Sequence, residues 1–365
     1  MPIFMDRHDV PEKITAEDIA KMHQEDLKVQ DQFGCRGLTY WYDSERKTAF
    51  CLVEAAERNA IIKMHNHAHG QVPHMIIEVD PSIVESFLGR IEDPEKAKNT
   101  ELNIINDPAF RTLMVLQLKP VSPKHMDIAL RGPDSDHLRS IFDLLQKFEG
   151  NIVKQKGGNL LVSFKSVTNA VHAAFDISAS LKKTSANKIT SKIGLGAGVP
   201  VTEEKSIFER TIKGAERMCQ VVNGEIIISS EVKELFNSEN SKFLKEEKNV
   251  RFITPSVEKF LNELIDYTEA NWTNTKLKID DLGKALGCSR SQLYRNMISL
   301  SGQSPNSFIK EYRLTTALAL LDKNTKNISE VALQTGFSNV SYFSKCFQKM
   351  YGYLPSHHFS LLEKP

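Results

Sequence analysis

No apolar run in the 365 residues approaches the roughly 18 residues that a membrane-spanning helix needs, so the sequence predicts no membrane span. The chain begins with the polar and acidic stretch Met1–Asp9, which lacks a basic segment followed by an apolar one, so we expect no secretory signal. The five cysteines are scattered, odd in number and without CxxC spacing, so their pattern predicts neither a disulfide framework nor a paired-cysteine zinc site. These absences predict a cytoplasmic protein with free thiols.

The chain also lacks a strong overall charge, because its formal net charge is only +1. That charge is unevenly distributed: residues 1–95 contain 10 Lys and Arg against 18 Asp and Glu, and residues 96–255 contain 24 against 18. Residues 256–365 contain 13 against 10, an excess too small to indicate nucleic-acid binding by itself. The uneven charge and a length that exceeds one typical core predict separate modules.

The sequence pattern of residues 1–80 predicts an α+β plait. The predicted elements, in order, are a strand at Pro2–His8, a helix from Thr15 to about Phe33, strands at Gly37–Tyr42 and Thr48–Glu54, a helix at Ala55–Ala68 and a strand at Pro73–Val79. Thr15 and Asp18 have the spacing of a capping box. The βαββαβ order is that of the ferredoxin-like fold. Residues 81–110 are charged and interrupted by prolines, which predicts a short helix followed by a linker.

Histidines are concentrated in this first module, which contains six of the eleven in the chain. The plait topology brings the end of the first strand, the start of the first helix, the end of the second helix and the start of the last strand to one end of the domain. Imidazole and carboxylate ligands suit Ni, Zn, Cu or Fe. The predicted metal ligands are Asp6, His8, His23, His65, His69 and His74. His65 and His69 share a helix face, whereas His67 points elsewhere; a surface or capping role is the alternative for each histidine alone.

The stretches TAEDIAKMHQEDLKVQDQFG, LTYWYD, FCLVEA and AHGQVPHMIIEV resemble the small ferredoxin-like domains described as nickel-binding proteins. The resemblance covers about 80 residues. It implies a divalent transition metal and favours nickel, with zinc or copper as alternatives, because affinity order and metal availability also decide occupancy.

Residues 111–253 predict a second α+β sandwich. The stretches GNIVKQKGGNLLVSF, AVHAAFDI, KIGLGAGVPV and IKGAERMCQVVNGEIIIS resemble class III nucleotide cyclases. The chemistry of that family needs two metal-binding aspartates. The first strand, Met114–Leu118, has no acid, and Gly158 stands at the second position, so we expect no cyclisation and no enzyme activity. The resemblance leaves Lys213 and Arg217 as candidate contacts to a small-molecule effector, and it implies pairing of two copies as a homodimer.

Residues 256–365 predict an all-α module with two helix-turn-helix units. In the first, the helix Ile279–Gly287 ends at glycine and Ser289 caps a second helix. The second unit repeats this pattern with Ile328–Gly336 and a cap at Ser338 or Asn339. An amphipathic helix, Pro305–Leu321, joins the two units. Such an arrangement could place two recognition helices in adjacent major-groove turns.

The second half of this module, ISEVALQTGFSNVSYFSKCFQKMYGYLPS, resembles the AraC/XylS DNA-binding domain, and the first half shares the pattern of Leu282, Ala285, Ser289, Leu293 and Arg295. The family usually has an arginine after Pro-Ser, where this chain has His357. The resemblance implies double-stranded DNA as the partner. The predicted DNA-facing residues are Ser289, Arg290, Gln292, Arg295, Asn339, Ser341, Tyr342 and Lys345. We expect about half of them to contact phosphate or nothing, because phosphate contacts dominate such interfaces.

The sequence therefore predicts an AraC-type transcription regulator that responds to a metal in its plait. Three alternatives remain: a regulator that senses a nucleotide or other small molecule in its middle module, an active nucleotide cyclase, and constitutive DNA binding without a signal.

Overall fold

The computed structural model describes residues 1–94, 102–120, 136–184, 189–239, 250–322 and 327–362. Part of the predicted linker, residues 95–101, lies outside the described residues. Within the described residues no helix has both the length and the apolarity to cross a bilayer. The chain is α+β, and its strands form two sheets that are followed by a helical C-terminal region.

The first sheet is a four-stranded antiparallel plait with the strand order β2-β3-β1-β4, which confirms the ferredoxin-like prediction. Its elements are β1 (Ile3–Asp9), α1 (Ala16–Val29), β2 (Cys35–Asp43), β3 (Thr48–Ala55), α2 (Arg58–Ala68) and β4 (Met75–Val79). The capping box of Thr15 and Asp18 begins α1 as predicted. The predicted helix starts too early at Ala55, because Ala55 pairs with Cys35 as the last residue of β3.

The two faces of the plait have different partners. Helices α1 and α2 cover one face, where they pack on residues that include Phe4 and Tyr40. The opposite face, which includes Met5 and Trp41, packs on the helix α3 (Pro81–Leu88) and on residues of the middle module such as Phe208. Because side chains alternate along a strand, β1 contributes to both cores.

The second sheet has six strands in the order β10-β9-β8-β5-β7-β6. Its elements are β5 (Arg111–Pro120), α4 (Asp136–Lys147), β6 (Asn151–Lys156), β7 (Asn159–Phe164), α5 (Val167–Thr184), β8 (Ile189–Gly198), α6 (Glu209–Val221), β9 (Ile226–Ile228), α7 (Ser230–Glu239) and β10 (Val250–Phe252). Helices α4, α5 and α7 cover one face of this sheet. The glycine turn predicted between β6 and β7 is present, with Gly157 at a φ of 57°. The likeness to nucleotide cyclases stays a prediction.

The C-terminal helices are α8 (Pro255–Asn271), α9 (Ile279–Ala285), α10 (Arg290–Ser301), α11 (Pro305–Asp322), α12 (Ile328–Gln334), α13 (Val340–Tyr351) and α14 (Pro355–Leu362). Both predicted helix-turn-helix units are therefore present, with α9 and α10 in the first and α12 and α13 in the second. Gly287 and Gly336 follow the first helix of each unit with φ of 61° and 78°, a left-handed conformation that glycine adopts without strain.

The three modules pack against one another. The core of the first helix-turn-helix unit, which includes Leu282 and Leu293, is continuous with that of α8 and of α6 in the middle module. The described part of the predicted linker is also packed, because the hydroxyl of Tyr40 donates to the carbonyl of Asn103 and accepts from the amide of Ile105 at 2.8 Å. The second helix-turn-helix unit has its own core, which includes Phe343 and Phe347.

Candidate metal centre and nucleic-acid interface

The candidate metal centre lies between the sheet of the plait and its two helices. Strand alternation places Asp6 and His8 on the helix-covered side of β1. The Asp6 carboxylate accepts a hydrogen bond from the backbone amide of Cys51 at 3.0 Å, and one of its oxygens lies 3.3 Å from Nε2 of His8. Asp6, His8 and Cys51 are all buried, so their polar atoms face each other in a space without bulk water.

His65 lies at the centre of this cluster, between two carboxylates. Its Nε2 lies 3.0 Å from Oδ2 of Asp6, and its Nδ1 lies 3.0 Å from Oδ2 of Asp26. One turn further along α2, Nε2 of His69 lies 3.2 Å from Oδ1 of Asp26. The i, i+4 spacing of the two histidines brings both rings to the same carboxylate.

The ionisation of these groups follows from their pairing. Burial opposes charge on His65, but hydrogen bonds to Asp26 and Asp6 raise its pKa to about 10. Burial likewise opposes charge on Asp6, yet the charge of His8 and the hydrogen bond from His65 lower the pKa of Asp6 well below its ordinary value. Burial raises the pKa of the Cys51 thiol. The two carboxylates on either side of the His65 ring therefore favour its charged form.

Two features of the cluster fit a bound cation. Nε2 of His8 and Oδ1 of Asp26 are buried and make no hydrogen bond, although they lie 3.3 Å from Asp6 and 3.2 Å from His69, so each has a lone pair that a further group could bind. A cavity of about 40 Å³ lies beside these atoms, enough for an ion with a water or two. Potential ligand atoms of Asp6, His8 and Cys51 lie within 4.8 Å of one another, as do those of Asp26, His65 and His69. Nitrogen, oxygen and thiolate ligands of this kind suit nickel, zinc or copper.

All six residues predicted as ligands are brought to this end of the plait. His23 and His74 line the cavity together with His8, His65 and His69, and Asp6 contacts His65 directly. His74 is held by β1, because its Nδ1 accepts from the amide of Asp9 at 3.1 Å. His67 is exposed and its ring lies 5.5 Å from that of Phe33. Sequence reasoning missed Asp26 and Cys51; an acid on the buried face of an amphipathic helix was the available signal for Asp26.

The first recognition helix, α10, begins with a capping box. The Ser289 hydroxyl accepts from the amide of Gln292 at 3.3 Å, and the Gln292 side chain accepts from the amide of Ser289 at 3.0 Å. Arg290 is exposed and lies 3.8 Å from Asp280 of the preceding helix. Arg295 is also exposed. Two of the predicted DNA-facing residues therefore also hold the start of their own helix.

The second recognition helix, α13, begins at a cap formed by Asn339 and not Ser338. The Asn339 side chain accepts from the amide of Tyr342 at 2.8 Å. Ser341, Tyr342 and Lys345 are all exposed on the first two turns, whereas Phe343 between them is buried. The polar face of this helix is therefore open to solvent, as a groove-reading helix requires.

The two residues predicted as effector contacts already have partners. Arg217 donates to the side-chain oxygen of Asn262 at 2.8 Å and pairs with Asp266, both on α8. Lys213 pairs with Glu209 at 2.7 Å and with Glu204 at 3.4 Å. In this structure Arg217 connects the middle module to the C-terminal helices.

Comparison with known proteins identifies both ends of the chain. Residues 282–360 match the family model described as "Helix-turn-helix domain". This region is therefore similar to a helix-turn-helix domain. The regulator MtrA of Neisseria gonorrhoeae is 35% identical over 95 residues, which is 26% of this chain and 30% of MtrA. A solved AraC-type transcriptional regulator from Chromobacterium violaceum is 28% identical over 31% of this chain and 99% of that structure, with a TM-score of 0.28.

Residues 4–79 match the family model described as "Nickel responsive protein SCO4226-like". The solved structure of SCO4226 from Streptomyces coelicolor A3(2) is 31% identical over 21% of this chain and 94% of that structure, with a TM-score of 0.20. The plait is therefore a SCO4226-like domain that precedes the AraC-type domain in one chain. The chain spans only 8% and 30% of the length of the first two curated relatives that it matches.

Proposed function

We propose that this chain is a DNA-binding transcription regulator of the AraC type whose SCO4226-like domain binds a divalent transition metal, with nickel favoured. The observation that supports DNA binding most strongly is the exposure of all eight predicted side chains at the starts of α10 and α13. Both helices are backed by buried apolar residues, so their polar faces are presented on a fixed scaffold.

The metal proposal is supported by the ligand set. Asp6, His8 and Cys51 form one group, and Asp26, His65 and His69 form another. Nε2 of His8 and Oδ1 of Asp26, which have no hydrogen-bond partner, would each have a lone pair for coordination of a metal ion. Bound metal would supply positive charge beside Asp6 and Asp26, and because histidine and cysteine ligands bind metal in their deprotonated forms, metal binding should release protons.

Binding of metal would regulate DNA affinity only if it favoured one arrangement of the modules over another. The packed contacts of the plait on the middle module, and of the middle module on α8, are continuous paths by which such a preference could act. Homodimerisation stays a prediction, and light scattering of the purified chain with and without DNA tests it.

The DNA proposal is tested by selecting from a random DNA library with the full chain and measuring affinity for the enriched sequence and for a scrambled one. Specific binding at least about a thousandfold tighter than binding to the scrambled DNA is expected at physiological salt. Equal affinity for both sequences would contradict sequence-specific regulation.

The metal proposal is tested by calorimetry of the chelator-treated full chain with Ni²⁺, Zn²⁺, Cu²⁺ and Co²⁺. Tight binding of nickel is expected, and the same titration in buffers of different protonation enthalpy should show released protons. If none of the four ions binds, the metal proposal is wrong while the DNA proposal stands. Affinity for the selected DNA with and without nickel then separates regulated from constitutive binding.

The cyclase alternative predicts cyclic nucleotide from ATP or GTP with Mg²⁺ or Mn²⁺. We expect none, since Met114–Leu118 and Gly158 supply no metal-binding acid. Product formed by the purified chain, and lost with an inactivating change in the middle module, would overturn the proposed assignment.

A further inference from the structure

A cavity of about 430 Å³ lies where all three modules meet. The plait contributes Arg7 and Arg46, the middle module contributes the end of β8 and the first half of α6, and α8 contributes Leu261 and Asn262. This volume is within the range of small-molecule sites, and such sites occur preferentially at domain interfaces. The cavity is separate from the metal centre, which lies on the other face of the plait sheet.

Three arginines from separate segments converge on this cavity, and two of them are held in place. Arg7 donates to Asp9 at 2.8 Å through Nε and to the carbonyl of Val201 at 3.3 Å through Nη1. The guanidinium of Arg46 lies 3.7 Å from the centre of the Phe110 ring, and its Nη1 donates to Oδ2 of the buried Asp43 at 3.1 Å. A guanidinium has five N–H donors, so both arginines keep donors for a ligand after these contacts.

Arg210, in the first turn of α6, is the third arginine of the cavity. It is exposed and has no hydrogen bond or ion pair with any residue in the part of the chain that the structure describes. Glu231 of the cavity lining attracts the charge of Arg210 but does not hold it in an ion pair, so this guanidinium is free to pair with a carboxylate or phosphate in a bidentate geometry.

The two arginines of the plait each have an acid partner, Asp9 for Arg7 and Asp43 for Arg46, whereas Arg210 forms no ion pair with a described acid. Glu258 is already engaged, because its Oε1 accepts from the amide of Ser230 at 2.7 Å and from the Ser230 hydroxyl at 2.9 Å. Glu231 lines the cavity and interacts electrostatically with Arg46 and Arg210, but within the described part of the chain it forms no ion pair or hydrogen bond with them. It therefore offers an acceptor to a hydroxyl or amino group of a ligand. Apolar side chains, including Met218 and Leu261, cover part of the wall.

We propose that the junction cavity binds a nucleotide-sized organic anion, with its phosphate or carboxylate group on Arg210 and Arg46 and a hydrogen-bond donor directed to Glu231. The ligand would touch all three modules at once. This site differs from the effector contacts predicted at Lys213 and Arg217, because neither of those residues lines the cavity.

The test measures binding to the chelator-treated full chain without DNA, so its result is independent of the proposed metal and DNA functions. The probes are AMP, GMP, 3′,5′-cyclic AMP, citrate and inorganic phosphate. Binding of each is measured by thermal unfolding and by calorimetry. Two variants address the site. Arg210→Ala removes the unpaired cation, and Gly214→Leu fills the cavity, because a Cβ at Gly214 meets no atom within 4 Å.

A matched control is Arg58→Ala, which removes another exposed arginine from the first turn of a helix, α2, outside the cavity. At least one organic anion is expected to raise the unfolding temperature at millimolar concentration. Its Kd should rise about tenfold or more in Arg210→Ala and Gly214→Leu but not in Arg58→Ala. Comparison of the nucleotides with citrate distinguishes a phosphate from a carboxylate ligand.

The proposal is overturned if no organic anion stabilises the protein, or if both site variants bind it as tightly as the unaltered chain. Stabilisation by inorganic phosphate equal to that by the organic anions also overturns it, since a cavity of this volume should favour the larger ligand. Circular dichroism of each variant shows whether loss of binding reflects loss of fold.

Discussion

At the scale of single residues, His65 shows what the sequence could and could not predict. Its spacing from His69 and the plait topology predicted that both would meet Asp6 and His8. Asp26 was not predicted, because α1 contains many charged residues and most of them face solvent. Only the packing of α1 on the sheet shows that Asp26 is buried. Cys51 lies in an apolar strand and resembles an ordinary core residue, so its contact with Asp6 depends on the sheet register.

Asp26→Asn keeps the size of the side chain but removes the charge that pairs with His65 and His69. We expect the affinity for nickel to fall by about 10- to 100-fold, because the substitution weakens either a ligand or the group that orients one. Calorimetry of the full chain measures the loss. Asp31→Asn, at an exposed position in the turn after α1, is the matched control and should leave the affinity unchanged. Equal losses in both variants would contradict a role for Asp26.

At the scale of secondary-structure elements, each recognition helix has side chains that could serve two purposes. Ser289, Gln292 and Asn339 were predicted from their positions as DNA-facing residues, and they also hold the first turns of α10 and α13. The helix boundaries were predictable because glycine and capping residues act locally. Whether a capping side chain also reaches a base depends on the position of DNA, which local sequence does not specify.

Asn339→Ala removes the cap of α13, so we expect the free energy of unfolding to fall by about 1 kcal/mol. Chemical denaturation measures this change. Asn339→Ser retains a neutral oxygen that can accept from the amide of Tyr342 and should restore most of the stability. If affinity for the selected DNA is low in the Ser variant as well, Asn339 contacts DNA in addition to capping the helix.

Lys345 and Lys349 are both exposed on α13, but only Lys345 lies near the start of the helix. We expect Lys345→Ala to weaken binding to specific and scrambled DNA alike and to reduce the slope of log affinity against log salt by about 1. Fluorescence anisotropy over a range of salt concentrations measures both effects. Lys349→Ala should change neither; an equal effect would show that α13 does not enter the groove by its N-terminal end.

At the scale of the whole molecule, the order of the modules was predictable and their docking was not. Charge and pattern distinguish residues 1–80 from the helical C-terminal region. Apolar residues that face a neighbouring module, such as Trp41 and Val115, have the same pattern as residues of an internal core. The sequence therefore predicted a linker at 81–110, where the described residues are packed against the plait and the second sheet.

Leu264 on α8 is fully buried in the core shared by the middle and C-terminal modules, whereas Leu333 on α12 is 57% exposed. We expect Leu264→Ala to lower the free energy of unfolding by about 3 kcal/mol and Leu333→Ala to change it by less than about 0.5 kcal/mol. Calorimetry should show the transitions of both modules shifted by Leu264→Ala. A shift confined to one transition would show that the two modules unfold independently.

Successive side chains of β1 point to opposite faces of the plait sheet, and this connects the two proposed binding sites. Asp6 and His8 face the metal centre, and Arg7 between them faces the junction cavity, so three consecutive residues form a common wall of two sites. If both sites are occupied as proposed, they are thermodynamically linked. The factor by which nickel changes the affinity for the anion must equal the factor by which the anion changes the affinity for nickel. Four titrations measure these affinities: nickel with and without the anion, and the anion with and without nickel. They would show whether the two ligands act together on the regulator before it binds DNA.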